Sequence, residues 1–273
     1  MITLAKLISI NVLSIIVLGV TGNVTIAIFS FFTLSFHWLA ISTFLQEPSL
    51  HSSRNILIFY SFLLCLISII SYKQSVIIGG ELTPYLAGSD GEGYFALALE
   101  VSGSDKLNEL GLITGSYFGY QIILSTLFDI LGQNLFVGLL LNNTLLLLTV
   151  LLVVRVTWIL TKDKQNCFYS ALAFILTTKF IFYSNTLLKD PFLIFGVALV
   201  TYMVAMIHTR KAMMPSSYLM LIFAALIFGM MRQPMLALIP ISFIALGRTI
   251  LRNIWLPAIL LFTVGSSFFT LIG

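Results

Sequence analysis

The chain has 273 residues, of which 59% are apolar and 9% are charged, whereas about 25% of residues are charged in an ordinary soluble domain. This composition excludes a water-soluble globule. The formal net charge of +4 hides an uneven distribution, because six of the ten carboxylates fall between residues 74 and 116, where Lys106 is the only cation. We therefore expect a membrane protein with one acidic loop.

Apolar runs divide the chain into segments close to the length of a bilayer core. A helix needs about 20 apolar residues to cross that core, and nine runs approach this length, near residues 3–20, 24–45, 55–72, 136–158, 167–187, 191–208, 216–231, 234–247 and 253–272. The run 117–131 is shorter and carries Asp129, so we expect a half-helix that dips into or lies on the interface. The sequence thus predicts an all-α, polytopic transmembrane bundle of about nine spans.

The cations orient these spans, because lysine and arginine in short loops collect on the cytoplasmic side. With nine spans and Lys6 inside, that side receives Arg54, Arg155, Lys162, Lys164, Arg210, Lys211, Arg248 and Arg252. The outer side receives the acidic loop and a few cations, namely Lys73, Lys106, Lys189 and Arg232. A tenth span at 117–131 would export most of the cytoplasmic cations, so nine spans are preferred. The cations form no stripe that would indicate binding to nucleic acid.

Residues 1–273 are predicted to form a single membrane domain, with 74–133 as an outer (periplasmic or extracytoplasmic) loop that carries amphipathic and half-membrane helices. Residues 1–20 are interpreted as a membrane anchor, because no signal-peptide cleavage site follows them. The cysteines and histidines lack metal-ligand spacing, and buried or interfacial positions explain the histidines. No cofactor is predicted, although Asp90-Gly91-Glu92 would be a weak site for a divalent cation.

The acidic loop contains the sequence GSDGEGY at residues 88–94. Ser89 with Glu92 three residues later fits a capping box and predicts a short amphipathic helix on the outer interface. The residues at helical spacing on one face of that helix are Tyr94, Leu97, Ala98 and Val101. A helix start alone explains the carboxylates, but the glycines would also let a ligand approach Asp90 closely. Capping and function both stay open.

Two further polar groups interrupt apolar runs on the same predicted side. Asp190 precedes Pro191, a pattern typical of a helix start with the carboxylate at the N-cap, and Lys189 beside it could reach the interface. Arg232 lies in a predicted outer loop, where an arginine pairs with an anion, lines a cavity or contacts lipid headgroups.

These three groups together suggest a chemistry. A positioned carboxylate can accept the proton of an attacking hydroxyl, and lysine and arginine can stabilise a departing phosphate. This inventory suits the transfer of a sugar from a lipid phosphate. A long polyprenyl substrate would explain why a reaction at the water interface needs so many spans.

The order of the motifs over roughly residues 55–247 resembles the GT-C superfamily of integral-membrane glycosyltransferases, which includes protein O-mannosyltransferases and lipid A aminoarabinose transferases. The motifs are the loop with Asp90 and Tyr94, then GYQIILSTLFDILGQN, YSNTLLKDPFLIF and MMRQP. The resemblance implies a polyprenyl-phosphate or polyprenyl-diphosphate sugar donor, a glycan, lipid or protein acceptor, and a bacterial cytoplasmic (inner) membrane. It also implies Asp90 as general base and substrate-binding roles for Glu92, Tyr94, Tyr120, Lys189, Asp190 and Arg232.

Other hypotheses stay open. An O-antigen or exopolysaccharide repeat-unit polymerase uses the same class of donor at the outer face. A flippase or transporter of lipid-linked glycans would be expected to carry mid-span charges or broken helices in paired repeats. A non-catalytic membrane subunit would need none of this chemistry.

Overall fold

The computed structural model describes residues 23–80, 89–102, 119–177, 183, 186–210 and 215–245, and throughout this part of the chain the regular structure is helical, without strands. In chain order the α-helices are α1 (Val24–Phe44), α2 (His51–Gly79), α3 (Ser89–Val101), α4 (Gly119–Leu131), α5 (Leu135–Thr161), α6 (Lys164–Ile175), α7 (Asp190–Arg210), α8 (Pro215–Met231) and α9 (Leu238–Ala245). Short 3-10 turns lie at Pro48–Leu50 and Gln233–Ala237. For these residues the all-α prediction is confirmed.

Four helices are long and apolar enough to cross a membrane, namely α1, α2 with the 3-10 turn before it, α5 and α7. They coincide with the predicted spans 24–45, 55–72, 136–158 and 191–208. Helix α2 continues to Gly79, well beyond its predicted end, because the residues after 72 remain compatible with a helix. The chain is therefore consistent with a membrane protein.

The other predicted spans are not matched by helices of spanning length in the described residues. Helix α8 covers the run 216–231, and the run 234–247 begins with a 3-10 turn and the eight-residue α9. In the run 167–187, helix α6 ends at Ile175, where the N–H of Thr177 turns back to the carbonyl of Phe174. The runs 3–20 and 253–272 lie outside the described residues, so about nine spans stays a prediction.

Helix α4 is short, as the run 117–131 predicted. Its 13 residues extend about 20 Å, less than a hydrocarbon core of roughly 30 Å. At its end Gly132 adopts a φ of +92°, and its N–H donates to the carbonyl of Phe128 at 2.9 Å. Asn134 then caps α5 by accepting the N–H of Phe136 at 2.8 Å. The chain reverses here, so that α4 packs beside the beginning of α5.

Helix α5 is the centre of the bundle, because it contacts α1, α2, α4, α6 and α7. One apolar cluster against it joins α3, α4, α7 and α8, and its largest buried side chains include Phe95, Phe128, Phe136 and Phe228. A second cluster joins α1, α2, α5 and α6 and includes Ile41, Tyr60, Leu151 and Cys167. The first cluster also includes residues of α1 and α2 and extends along α7 as far as Ile207, whereas the second includes the end of α1 and the beginning of α2.

The two ends differ in charge. At one end α5 begins beside the last third of α2, with the ring centroids of Tyr72 and Phe136 5.8 Å apart. We call this the carboxylate end, and its described acidic residues are Asp90, Glu92, Glu100, Asp129 and Asp190.

At the other end the Arg155 guanidinium donates to Glu47 at 2.9 Å, which joins the end of α5 to the loop between α1 and α2. We call this the cation end, because it also holds Arg54, Lys162 and Lys164. Within the described residues, four cations that the sequence placed on the cytoplasmic side thus lie at the opposite end from Asp90, Glu92 and Glu100 of the acidic loop.

Candidate functional site

The first turn of α3 presents two carboxylates at the carboxylate end. The described helix starts at Ser89, the residue predicted to cap it, and Asp90 and Glu92 are both exposed in its first turn. A Cβ added to Gly93 would meet no atom within 4 Å, so the surface beside these carboxylates is open. The side chain of Ser89, and with it the predicted capping box, lies outside the described part of the structure. The helix N-terminus favours negative charge at this position.

The buried face of α3 matches the predicted one at Ala98 and Val101 and differs from it at Tyr94 and Leu97. Phe95 and Ala98 are fully buried, whereas Tyr94 and Leu97 are only partly buried. The cause is the contact with α4, where the ring of Phe95 meets that of Phe128 edge to face, with centroids 5.6 Å apart. Packing on Phe128 therefore leaves Tyr94 at the margin of the buried face, next to the exposed carboxylates.

Tyr94 of α3 contacts α4 and is affected by the charge of a residue in α7. Its ring contacts the ring of Tyr120 from α4 edge to face, at 5.3 Å between centroids. The pKa of Tyr94 is raised above its ordinary value, chiefly by burial and further by the negative charges of Asp90 and Asp190. The charges of Asp90 in α3 and Asp190 in α7 therefore both act on this phenol. This phenol is protonated at neutral pH and can donate a hydrogen bond.

Tyr120 supports this arrangement from below. It is completely buried, and its hydroxyl donates to Oδ1 of Asn142 at 3.2 Å. Its ring also contacts Phe192 in the first turn of α7, at 5.8 Å between centroids. Tyr120 therefore links α3, α5 and α7. It has no exposed atom, so its role in the site is structural support.

Asp190 is the first residue of α7, and Lys189 is the cap residue. The Lys189 carbonyl accepts the N–H groups of Phe192 and Leu193 at 3.1 and 3.4 Å, which begins the helix. The predicted N-cap at Asp190 was therefore wrong by one position, because Pro191 fits the second helical residue as well as the first. The Asp190 carboxylate still lies in the first turn, where the helix dipole favours its charge.

The segment before Lys189 is not helical and is held by Asn142. The two amide hydrogens of Asn142 go to the carbonyls of Thr186 and Leu188, at 2.9 and 3.2 Å. The sequence analysis did not single out Asn142. The signal that could have found it is an amide inside a run of leucines, since a polar side chain in a membrane helix needs a partner.

Arg232 follows the end of α8 at the same end of the molecule. Its N–H closes the last turn by donating to the carbonyl of Phe228 at 2.8 Å, and its side chain is exposed. Two residues earlier, Met230 packs on Gly119, the neighbour of Tyr120; a Cβ added to Gly119 would lie 2.5 Å from the Met230 Cβ and 2.7 Å from its carbonyl oxygen. This close backbone contact brings the end of α8 next to the beginning of α4.

Within the described residues, no group of three or more His, Cys, Asp or Glu side chains could hold a metal ion. His37 is buried, with Nδ1 2.8 Å from the Ser61 hydroxyl and Nε2 3.0 Å from the Thr144 hydroxyl. Its interpretation as a buried polar residue is confirmed. Asp90 and Glu92 are both exposed, but residues two positions apart in a helix do not face each other, so the weak divalent-cation site stays a prediction.

The predicted site residues thus come from α3, α4, α7 and the end of α8, and all of them lie at the carboxylate end. Comparison of the chain with protein-family models, with curated proteins and with solved structures gives no match. Its function is therefore inferred from the residues at this end.

Proposed function

We propose that this protein is an integral-membrane glycosyltransferase of the outer face of a bacterial cytoplasmic membrane. It moves a sugar from a polyprenyl-phosphate or polyprenyl-diphosphate donor to a glycan, lipid or protein acceptor. The observation that carries the proposal is the packing of Tyr94 on Tyr120 and of Tyr120 on Phe192, which joins the helix of Asp90 to the first turn of α7 with Asp190. The cations Lys189 and Arg232 lie at the same end of a bundle of long apolar helices.

Asp90 is the proposed general base. It is exposed beside the open surface at Gly93, so an acceptor hydroxyl can reach it. In the reaction the hydroxyl proton passes to the Asp90 carboxylate while the hydroxyl oxygen bonds to the anomeric carbon. The bond between that carbon and the phosphate oxygen breaks, and its electron pair leaves with the phosphate.

Lys189 and Arg232 are the proposed phosphate-binding cations. The phosphate gains negative charge as it leaves, and arginine can hold two of its oxygens at once. The protonated phenol of Tyr94, four residues after Asp90 in α3, can donate to a sugar hydroxyl. Glu92, two residues after Asp90, is proposed to contact the acceptor. Four apolar spans offer lateral contact to the lipid chain of the donor.

The test is a transfer assay with the full-length protein in liposomes and labelled polyprenyl-linked sugars. We expect Asp90→Asn to lower the transfer rate by about 10²–10⁴-fold, the range that a general base contributes. The matched control is Glu100→Gln, which removes an exposed carboxylate from the other end of the same helix, and we expect it to keep near wild-type activity.

Near wild-type transfer by Asp90→Asn would contradict the proposal. The products distinguish the alternatives, because a transferase adds a single sugar or unit whereas a repeat-unit polymerase makes a ladder. Movement of the donor across the bilayer without a new glycosidic bond would indicate a flippase.

A further inference from the structure

Two neighbouring asparagines in α5 have different partners. Asn142 and Asn143 are both completely buried, with no exposed surface. Asn143 faces α2, where its amide donates to the Leu64 carbonyl at 3.0 Å and to the Ser68 hydroxyl. Asn142 faces the opposite way, toward α4 and the segment that leads into α7. The pair offers a natural comparison between an amide that joins two helices and one that holds a non-helical segment.

The segment at residues 186–188 depends on such a partner. Leu187 is fully buried and packs on Gly138 of α5, so this stretch of backbone lies inside the bundle. Outside a helix its carbonyls have no bonding pattern of their own, and in the membrane domain little water is present to replace one. Asn142 donates one amide hydrogen to the Thr186 carbonyl and the other to the Leu188 carbonyl.

The same amide reaches the other side of the site. Its Oδ1 accepts the hydroxyl of Tyr120, whose ring supports Tyr94. Leu188 is followed directly by Lys189 and Asp190, and the charge of Asp190 acts on Tyr94. One side chain therefore connects the residue beneath Tyr94 with the backbone that carries Lys189 and Asp190.

We propose that Asn142 is a positioning residue that fixes the segment 186–188 and thereby sets the start of α7, with Lys189 and Asp190, beside Tyr120 and the Tyr94 ring that packs on it. Its effect on catalysis rests on the proposed glycosyl transfer, but its effect on the segment does not. Both hydrogens and the oxygen of the amide are engaged, so Asn142 itself does not contact substrate.

The first measurement is the rate at which a thiol reagent labels Thr186→Cys, a substitution of similar size at a position that is 3% exposed. The native Cys65 and Cys167 are buried and provide the background in the parent protein. We expect Asn142→Leu to raise this labelling rate by about tenfold, because removing hydrogen bonds of about 1–2 kcal/mol favours local opening. The matched control Asn143→Leu should change it by less than about twofold.

The second measurement is glycosyl transfer by the same variants without the added cysteine. We expect Asn142→Leu to lower kcat/KM by about 10²-fold, because a displaced cation and carboxylate lose their geometry, while Asn143→Leu stays close to wild type. If Asn142→Leu does not fold, Asn142→Ser replaces it; one hydroxyl can donate to only one of the two carbonyls, so we expect a smaller rise in labelling.

Unchanged labelling in the Asn142 variants, or an equal rise in the Asn142 and Asn143 variants, would overturn the proposal. A selective rise in labelling with unchanged transfer would overturn the positioning role in catalysis. The wild-type protein could transfer no sugar while labelling still rises selectively in the Asn142 variants. That result would support Asn142 as the residue that fixes the segment 186–188 and would reject the proposed function, so the two failures are distinguishable.

Discussion

The two ends of the bundle use their charged residues in different ways. At the cation end, Arg155 pairs with Glu47 at 2.9 Å, and Asp163 caps α6 by accepting the N–H of Gln165 at 2.9 Å. At the carboxylate end, Asp90 and Asp190 each stand in the first turn of a helix, and their negative charges help to raise the pKa of Tyr94. Charges of the first kind have local structural partners. Asp90 and Asp190 stand instead at helix N-termini, where the dipole favours their charge, and the carboxylate end is the one for which we propose a ligand.

The cations differ between the ends as well. At the cation end Lys162 lies over the ring of Trp158, with Nζ 5.5 Å from the centroid, and its backbone closes α5 with a φ of +54°. At the carboxylate end the Arg232 side chain is exposed beyond the last turn of α8. An arginine held by its backbone with its guanidinium toward open space suits an anionic ligand.

The largest effect is expected where the carboxylate end depends on close backbone packing. Gly119→Ala would place a Cβ 2.7 Å from the Met230 carbonyl oxygen, so α4 and α8 must move apart. We expect the free energy of unfolding in detergent to fall by about 1–3 kcal/mol, and transfer to fall with it.

The control for this substitution is Gly93→Ala, also in a helix at the carboxylate end but with no atom within 4 Å of the added Cβ. Alanine is favoured over glycine in a helix by up to about 1 kcal/mol, so Gly93→Ala should leave the free energy of unfolding unchanged or raise it. If Gly119→Ala changed the free energy of unfolding no more than Gly93→Ala does, the close contact between α4 and α8 would be contradicted.

A smaller effect is expected at the cation end. Arg155→Met removes the ion pair with Glu47, whose side chains are 27% and 36% exposed. Partly exposed pairs of this kind contribute about 0–1 kcal/mol, so thermal unfolding should shift only slightly and transfer should stay near wild type. A large loss of transfer in this variant, with folding intact, would break the distinction between a structural end and a ligand-binding end.

The smallest effect is a change in pH dependence at the carboxylate end. The pKa of Tyr94 is raised above 10.0 in the folded protein, so above about pH 10 the unfolded chain loses this proton first. The free energy of unfolding therefore falls as the pH rises through that window and is unaffected by this group below it. Tyr94→Phe should reduce the slope between about pH 9 and about pH 11, measured by thermal unfolding. An equal slope in the two proteins would contradict the environment assigned to Tyr94.

Much of the fold follows from local properties of the sequence. Four of the predicted spans coincide with helices of spanning length. A long apolar run forms a helix in a membrane because only a helix satisfies all its backbone hydrogen bonds within the segment. Two other features also followed from local sequence. A capping pattern predicted the start of α3 near Ser89, and the limited length of an apolar run predicted the short α4. The end of α6 at Ile175 was missed, because apolar residues continue past it.

Parts of the site depended on packing that no local pattern shows. The spacing in α3 favoured Tyr94 and Leu97 for the buried face, but the contact between Phe95 and Phe128 decided it. Tyr120 was expected to bind substrate, and the structure buries it with its hydroxyl on Asn142. An asparagine in a leucine-rich helix is visible in the sequence, but its partners are not.

The sequence by itself determined the class of protein, the positions of the long apolar helices, and the residue types that gather near the acidic loop. Hydropathy and helix capping act over a few residues, so they can be read from the chain directly. Only the tertiary structure decided that Tyr120 joins Tyr94 to the first turn of α7 and that Asn142, not its neighbour Asn143, holds the segment before Lys189. These contacts join residues far apart in the chain, and their geometry is set by how α3, α4 and α7 pack around α5.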